Sequence, residues 1–246
     1  MKVSRKIEYI KEWILKYCKS MSNEAKSLVV GVSGGIDSSV VSTICALTGK
    51  KTFVVSMPIQ QNKEQYNLSL KHQKWLKSKF KNVEGYTVEL NGVFSSFKKS
   101  LLKFENEHGM ANSRARLRMT TLYQVAAANN GIVVGTGNKV EDFGVGFYTK
   151  YGDGGVDISP IADCTKTQVW EMGKSLGIIK GILDAEPTDG LWDDGRTDVK
   201  QLGMSYEELE KAMKDKKSKG YDKYLEIRKR NLHKMKPIPV CLMDDE

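Results

Sequence analysis

Cysteine, histidine and proline are all scarce in this chain of 246 residues, with four, three and five of each. Cys18, Cys45, Cys164 and Cys241 form no C-x-x-C pair and no other zinc spacing. That excludes a zinc ribbon or a cysteine pair for sulfur relay. It leaves each thiol to pack as a small hydrophobe in a reducing compartment, so a cytoplasmic location is expected. His72 and His108 have no partner at metal-ligand spacing. No apolar run approaches the roughly 18 residues that would cross a bilayer. The basic N-terminus is broken by Glu8, Lys11, Glu12 and Lys16, which excludes a signal-type apolar core. Internal repeats, low-complexity tracts and proline-rich linkers are also missing, so residues 1–246 read as a single domain. Acidic residues are outnumbered 30 to 39 by lysine and arginine, for a net charge of +9, which predicts anionic partners. The lysines are spread along the chain, favouring small phosphorylated substrates over nucleic acid.

The common P-loop, G-x-x-x-x-G-K-[ST], is absent too. Gly173–Lys174–Ser175 has Gln168 where the first glycine belongs, and it lies inside an amphipathic helical pattern. What is present lies near the start of the chain. Residues 27–32 form a short β-branched run that reads as a buried central strand. Ser33, Gly34 and Gly35 follow, and then an apolar helix from about Ser38 to Leu47. Strand, glycine turn and helix start together build an anion site. The glycines allow a close backbone approach, and the free N–H groups of the helix N-terminus point at negative charge. Ser33 and Ser38 add hydroxyl donors. Asp37 would repel phosphate unless a divalent cation sat between them, so its carboxylate implies Mg²⁺.

Further strands are expected at 52–58, 83–90 and 132–136. Helices are expected at 4–20, 63–80, 93–104, 112–129, 165–176, 205–214 and 219–233. The alternation implies an α/β fold, an open parallel sheet flanked by helices on both faces. Between 144 and 155 five glycines crowd one loop region, and 186–198 is polar, rich in Gly and Asp, and a candidate lid.

Ser33–Gly34–Gly35–Ile36–Asp37–Ser38 resembles the pyrophosphate loop of ATP pyrophosphatases. Gly135–Thr136–Gly137–Asn138–Lys139–Val140–Glu141 and Thr149–Lys150–Tyr151–Gly152–Asp153–Gly154–Gly155–Val156–Asp157 narrow the likeness. With Asn112–Ser113–Arg114–Ala115–Arg116–Leu117–Arg118–Met119, Lys166–Thr167–Gln168 and Pro187–Thr188, the chain resembles the NAD synthetases from about residue 25 to Lys234. The resemblance implies a Rossmann-like adenine nucleotide alpha hydrolase architecture. It also implies a two-step amidation, in which deamido-NAD is adenylated by ATP and then attacked by ammonia, giving NAD, AMP and pyrophosphate. Carried over by position, Gly31, Val32, Ser33, Gly34, Gly35, Ile36, Asp37, Ser38, Thr136, Lys166 and Thr188 would bind ATP. Asp37 and Glu141 would hold Mg²⁺ and, with Lys166, carry the chemistry. Arg116, Lys150, Asp157, His233 and Lys234 would hold deamido-NAD in a site that a homodimer shares. Without the resemblance Arg116 is no better placed than Arg114 or Arg118, since successive members of the three stand about 200° apart around the helix.

Two other readings compete. A tRNA-modifying or nucleobase-amidating ATP pyrophosphatase would share the loop, with the positive charge as its support. A nucleotide-binding regulatory protein would need no pair of acids such as Asp37 and Glu141. Only about 30 residues precede the loop and 12 follow Lys234, and no cysteine sits in a thiol-amidase setting, so free ammonia is the expected nitrogen source.

Overall fold

The computed structural model describes residues 1–188, 190–191 and 197–243. Part of the candidate lid, at 189 and 192–196, and the acidic end at 244–246 lie outside the described residues. Four parallel strands form one sheet: β1 (Ser27–Gly31), β2 (Lys51–Ser56), β3 (Val83–Thr87) and β4 (Gly131–Val133). Their order across the sheet is β3-β2-β1-β4. In register, Val29 stands beside Phe53 on one side and Val133 on the other.

Successive side chains of a strand point to opposite faces. Leu28 and Val30 enter a core with α1 (Val3–Ser20), α2 (Ile36–Leu47) and α6 (Lys166–Leu176), through Ile14, Ile44 and Met172. Val29, Phe53, Val55 and Val133 enter a second core with α4 (Asn91–Ser100) and α5 (Glu107–Ala128), through Phe94 and Ala126. A sheet covered on both faces explains why β1 reads as an unbroken apolar run. The helix α3 (Lys63–Lys79) sends Leu76 against Val54 and Val83. A third cluster gathers Val140 and Val145 with α9 (Tyr206–Lys214) and α10 (Tyr221–Met235), including Leu209 and Ile227. Short helices α7 (Lys180–Leu183) and α8 (Asp198–Leu202) lie between. No helix among the described residues is long and apolar enough to cross a membrane.

The strand expected to reach Leu90 ends at Thr87, and β4 stops at Val133, with only a bridge from Val134 to Ile158 beyond it. The long helix starts at Glu107, five residues before the expected start, because Asn106 caps it by accepting from Gly109 N–H at 2.8 Å. On α1 the buried stripe is Ile7, Ile10, Ile14 and Cys18. Trp13 and Tyr17, apolar residues at helical spacing beside that stripe, stack on one another at its solvent edge with centroids 5.9 Å apart.

The chain runs outward from β1 through β2 to β3, then returns to place β4 on the other side of β1. Such a reversal opens a crevice beyond the C-terminal strand ends. The loops after β1 and β4 meet there.

Candidate active site

Beyond β1 the chain turns at Gly34, whose φ of +93° lies in the left-handed region. A Cβ at Gly34 would stand 2.4 Å from the Gln65 carbonyl oxygen, so no other residue fits this turn. Gly35 is the N-cap of α2, which begins two residues earlier than the apolar pattern suggests. The loop is braced by its own hydroxyls. Gly35 N–H donates to Ser33 Oγ at 3.2 Å, Ser38 Oγ to Gly35 O at 3.1 Å, and Ser39 Oγ to the same carbonyl at 2.8 Å.

All of residues 31–38 line one cavity of about 250 Å³, which Thr136, Glu141, Lys166 and Thr188 also line. Every expected ATP-binding position therefore faces one space. Thr188 Oγ1 accepts from Gly190 N–H at 3.2 Å.

Inside the cavity stands an ion triad. Lys166 Nζ donates to Asp37 Oδ2 at 2.6 Å and to Glu141 Oε1 at 2.8 Å. Asp37 and Glu141, which a place at loop ends in the sequence would leave exposed, are instead largely withdrawn from solvent, and Lys166 is only 2% exposed. Each side chain is positioned by a distinct element. Asp37 lies in the first turn of α2, where the helix N-terminus favours an acid. Lys166 opens α6, whose N-cap Thr165 donates its N–H to Gln168 Oε1 at 3.3 Å in a capping box. Glu141 sits in a π-helical stretch, Lys139–Val145, of the kind often found at functional sites. Asn138 caps that stretch, accepting from Val140 and Glu141 N–H at 3.0 and 3.1 Å while its Nδ2 donates to Asp37 Oδ1 at 3.1 Å.

One ammonium serves two carboxylates, so the triad keeps a net negative charge. Burial pushes Glu141 up, but the Lys166 charge, its hydrogen bond and those of Tyr206 and Asn138 outweigh this and hold it below the ordinary carboxylate value. For Asp37, burial and the Glu141 charge prevail and raise it. Burial works against the charged form of Lys166, yet the two carboxylates more than reverse this and raise its pKa. Neighbouring Asp142, also facing the cavity, is raised well above its ordinary value by burial and by the Asp153, Glu141 and Asp37 charges.

The donor set suits Mg²⁺. Two carboxylates already converge on one small cation, and among the described residues no group of three or more His, Cys, Asp or Glu forms an all-protein cage. Mg²⁺ characteristically takes one or two carboxylates and completes its octahedron with water and substrate phosphates.

The five expected dinucleotide residues do not line this cavity. Arg116 is exposed and its Nε donates to Lys150 O at 3.3 Å, while Lys150 Nζ stands 5.3 Å from the Tyr151 ring centre. Asp157 serves the sheet edge, accepting from Val133 N–H at 2.7 Å and from the Tyr123 hydroxyl at 3.1 Å. His233 is exposed, and Lys234 Nζ donates to Tyr148 O at 2.8 Å. The three arginines of α5 diverge. Arg114 is buried and donates to Leu191 O at 2.6 Å and Gln60 Oε1 at 2.8 Å, whereas Arg118 donates to Met57 O at 3.1 Å and lines the cavity.

The sequence by itself assigns no role to Asn138, Tyr206 or Asp198. Asn138 carries a signal, since Asn is a favoured N-cap residue. Tyr206 and Asp198 carry none, since the approach of Tyr206 to Glu141 and of Asp198 to Tyr206 depends on how α8 and α9 pack.

With this geometry in view, residues 6–238 match the family described as NAD synthase. A protein of Alkaliphilus metalliredigens called NH(3)-dependent NAD(+) synthetase is 36% identical, covering 97% of this chain and 99% of its own. One of the same name from Mesoplasma florum is 37% identical over 85% of this chain and 84% of its own. Among solved structures, the NMN synthetase of Francisella tularensis has a TM-score of 0.90 at 31% identity, covering 99% of this chain and 100% of that one. The chain belongs to the NAD synthase family.

Proposed function

We propose that this chain is an ammonia-dependent NAD synthetase, consuming ATP and deamido-NAD. The observation that carries the reading is the convergence of Asp37, Glu141 and Lys166 at the mouth of the glycine loop. The family membership of the chain and the names of its relatives support it.

In the first step a nicotinate carboxylate oxygen attacks the α-phosphorus of ATP, forming an acyl adenylate and expelling pyrophosphate. In the second, ammonia adds to the carbonyl carbon and loses a proton, AMP departs, and NAD is released. The loop's free N–H groups and the serine hydroxyls hold the departing pyrophosphate. Lys166 and Thr188 face the same cavity and would reach phosphate oxygens from its other walls. Asp37 and Glu141 would hold Mg²⁺, which when bound offsets charge on the phosphates. With residues 31–38 holding the β- and γ-phosphates at the start of the well-buried α2, catalysis would be chiefly positioning and charge stabilisation.

Arg116, Lys150, Asp157, His233 and Lys234 would hold the dinucleotide outside the ATP cavity, in a site completed by a second copy of the chain. The nucleic-acid-modifying and regulatory readings lose ground to the family membership. Incubation with ATP, Mg²⁺, ammonium and deamido-NAD tests the proposal, with AMP, pyrophosphate and NAD as the expected products. ADP and phosphate would contradict it.

A second reading rests on the TM-score of 0.90 to an NMN synthetase. In it the acceptor is the mononucleotide half of deamido-NAD, carrying the same nicotinate carboxylate. Direct competition between the two acceptors decides it: kcat/KM favouring the dinucleotide supports the first reading, and the reverse preference supports the second.

A further inference from the structure

Tyr206 is the first residue of α9, 3% exposed, with its ring edge-on to Trp170 at 6.1 Å. Ser205 fixes the helix start by accepting from Glu208 N–H at 3.2 Å. The Tyr206 hydroxyl donates to Glu141 Oε1 and lies within hydrogen-bond reach of Asp198 Oδ2 at 2.8 Å. Glu141 Oε1 is the oxygen that also accepts from Lys166 Nζ. One carboxylate oxygen is thus held by donors from two separate helices, while the Glu141 backbone is held by Asn138.

Packing alone does not call for this hydroxyl. A phenylalanine ring would fill the same place against Trp170, Leu209 and Val140. A buried hydroxyl is retained when its hydrogen bonds are made, and here both reachable acceptors are carboxylates that line the cavity. Asp198 opens α8 on the wall that follows Thr188, so the phenol links that wall to the triad.

We propose that Tyr206 is a positioning residue: its hydroxyl, donated to Glu141, aims that carboxylate at the cation site. The proposal rests on Glu141 being a Mg²⁺ ligand. Outer partners of this kind typically change metal affinity by about ten- to a hundredfold when removed.

The test compares wild type, Tyr206→Phe, Glu141→Gln and Leu209→Ala. Each is saturated with α,β-methylene-ATP and titrated with Mg²⁺, reading the free Mg²⁺ that gives half of the thermal stabilisation. Tyr206→Phe should raise this half-point about tenfold and lower kcat with the KM for deamido-NAD unchanged. Leu209→Ala, which loses packing in the same cluster, should lower Tm with the half-point unmoved. A wild-type half-point in Tyr206→Phe, alongside a large shift in Glu141→Gln, would overturn the positioning role and leave Glu141 as a ligand. A wild-type half-point in Glu141→Gln would remove Glu141 from the metal site, and the Tyr206 role with it.

Discussion

The glycine loop and the ion triad face the same cavity, yet their partners come from very different distances along the chain. Ser33, Gly35, Ser38 and Ser39 bond one another across five positions or fewer. Lys166 reaches Glu141 across 25 positions and Asp37 across 129, Asn138 reaches Asp37 across 101, and Tyr206 reaches Glu141 across 65. The loop is therefore a property of local backbone geometry, and substitutions there act through space and φ. The triad is a property of tertiary packing, and substitutions there act through charge left without a partner.

Breaking the loop should have the largest effect. Gly34→Ala brings a Cβ against the Gln65 carbonyl at a positive φ, so pyrophosphate formation should fall by more than about a hundredfold. Circular dichroism should still show the helices and sheet, and near-normal turnover would mean the loop can relax.

The triad should respond differently. Glu141→Gln should cut turnover about a hundredfold, the cost of several kcal/mol of charge stabilisation. Lys166→Met leaves two largely buried carboxylates facing each other without their cation. It should lose about 3–5 kcal/mol of stability as well as activity. Chemical denaturation separates the roles of the triad's cation and its carboxylate: a clear loss of stability in Lys166→Met with little loss in Glu141→Gln is expected. Equal stability of Lys166→Met and wild type would mean that the triad is not a stabilising unit.

Outside the cavity the effect should be smaller and confined to one substrate. Arg116→Ala should raise the KM for deamido-NAD about tenfold and leave that for ATP nearly unchanged. The protein should sediment as a dimer, and a fully active monomer on dilution would contradict the shared site.

The gentlest test concerns the packing behind the loop. His72, between α2 and α3, shares one hydrogen bond with Ser42 Oγ at 2.9 Å, and burial lowers its pKa from 6.5 to about 4. Between those values the unfolded chain binds the proton and the folded chain does not. Stability should therefore decline as pH falls from about 6.5 towards 4, by up to about 3 kcal/mol. His72→Asn should flatten that slope in urea titrations across the window, and an unchanged slope would assign the acid sensitivity elsewhere.

The same contrast between local and distant partners governs how much of the molecule is legible in its sequence. β1, the turn and α2 are legible because apolar runs, glycines and serines state their geometry within a dozen residues. The sheet follows from alternating strands and helices, although β3 and β4 are shorter than their apolar runs suggest. Asp37 is legible from the chemistry of its loop, but Glu141 and Lys166 only through resemblance, since nothing in periodicity brings residue 166 beside residue 37. Their burial is hidden for the same reason: a loop position in sequence says little about which helices close over it. Tyr206 and Asp198 look like an ordinary helix start and an ordinary loop acid until α8 and α9 are packed.

Activation of the nicotinate carboxylate by direct attack on the α-phosphorus of ATP is the central claim. Deamido-NAD labelled with ¹⁸O in that carboxylate tests it most directly, with the products separated and weighed by mass spectrometry. Direct attack predicts one ¹⁸O in AMP, one retained in the NAD amide and none in pyrophosphate. Label in phosphate or pyrophosphate, or unlabelled AMP with NAD formed, would contradict it.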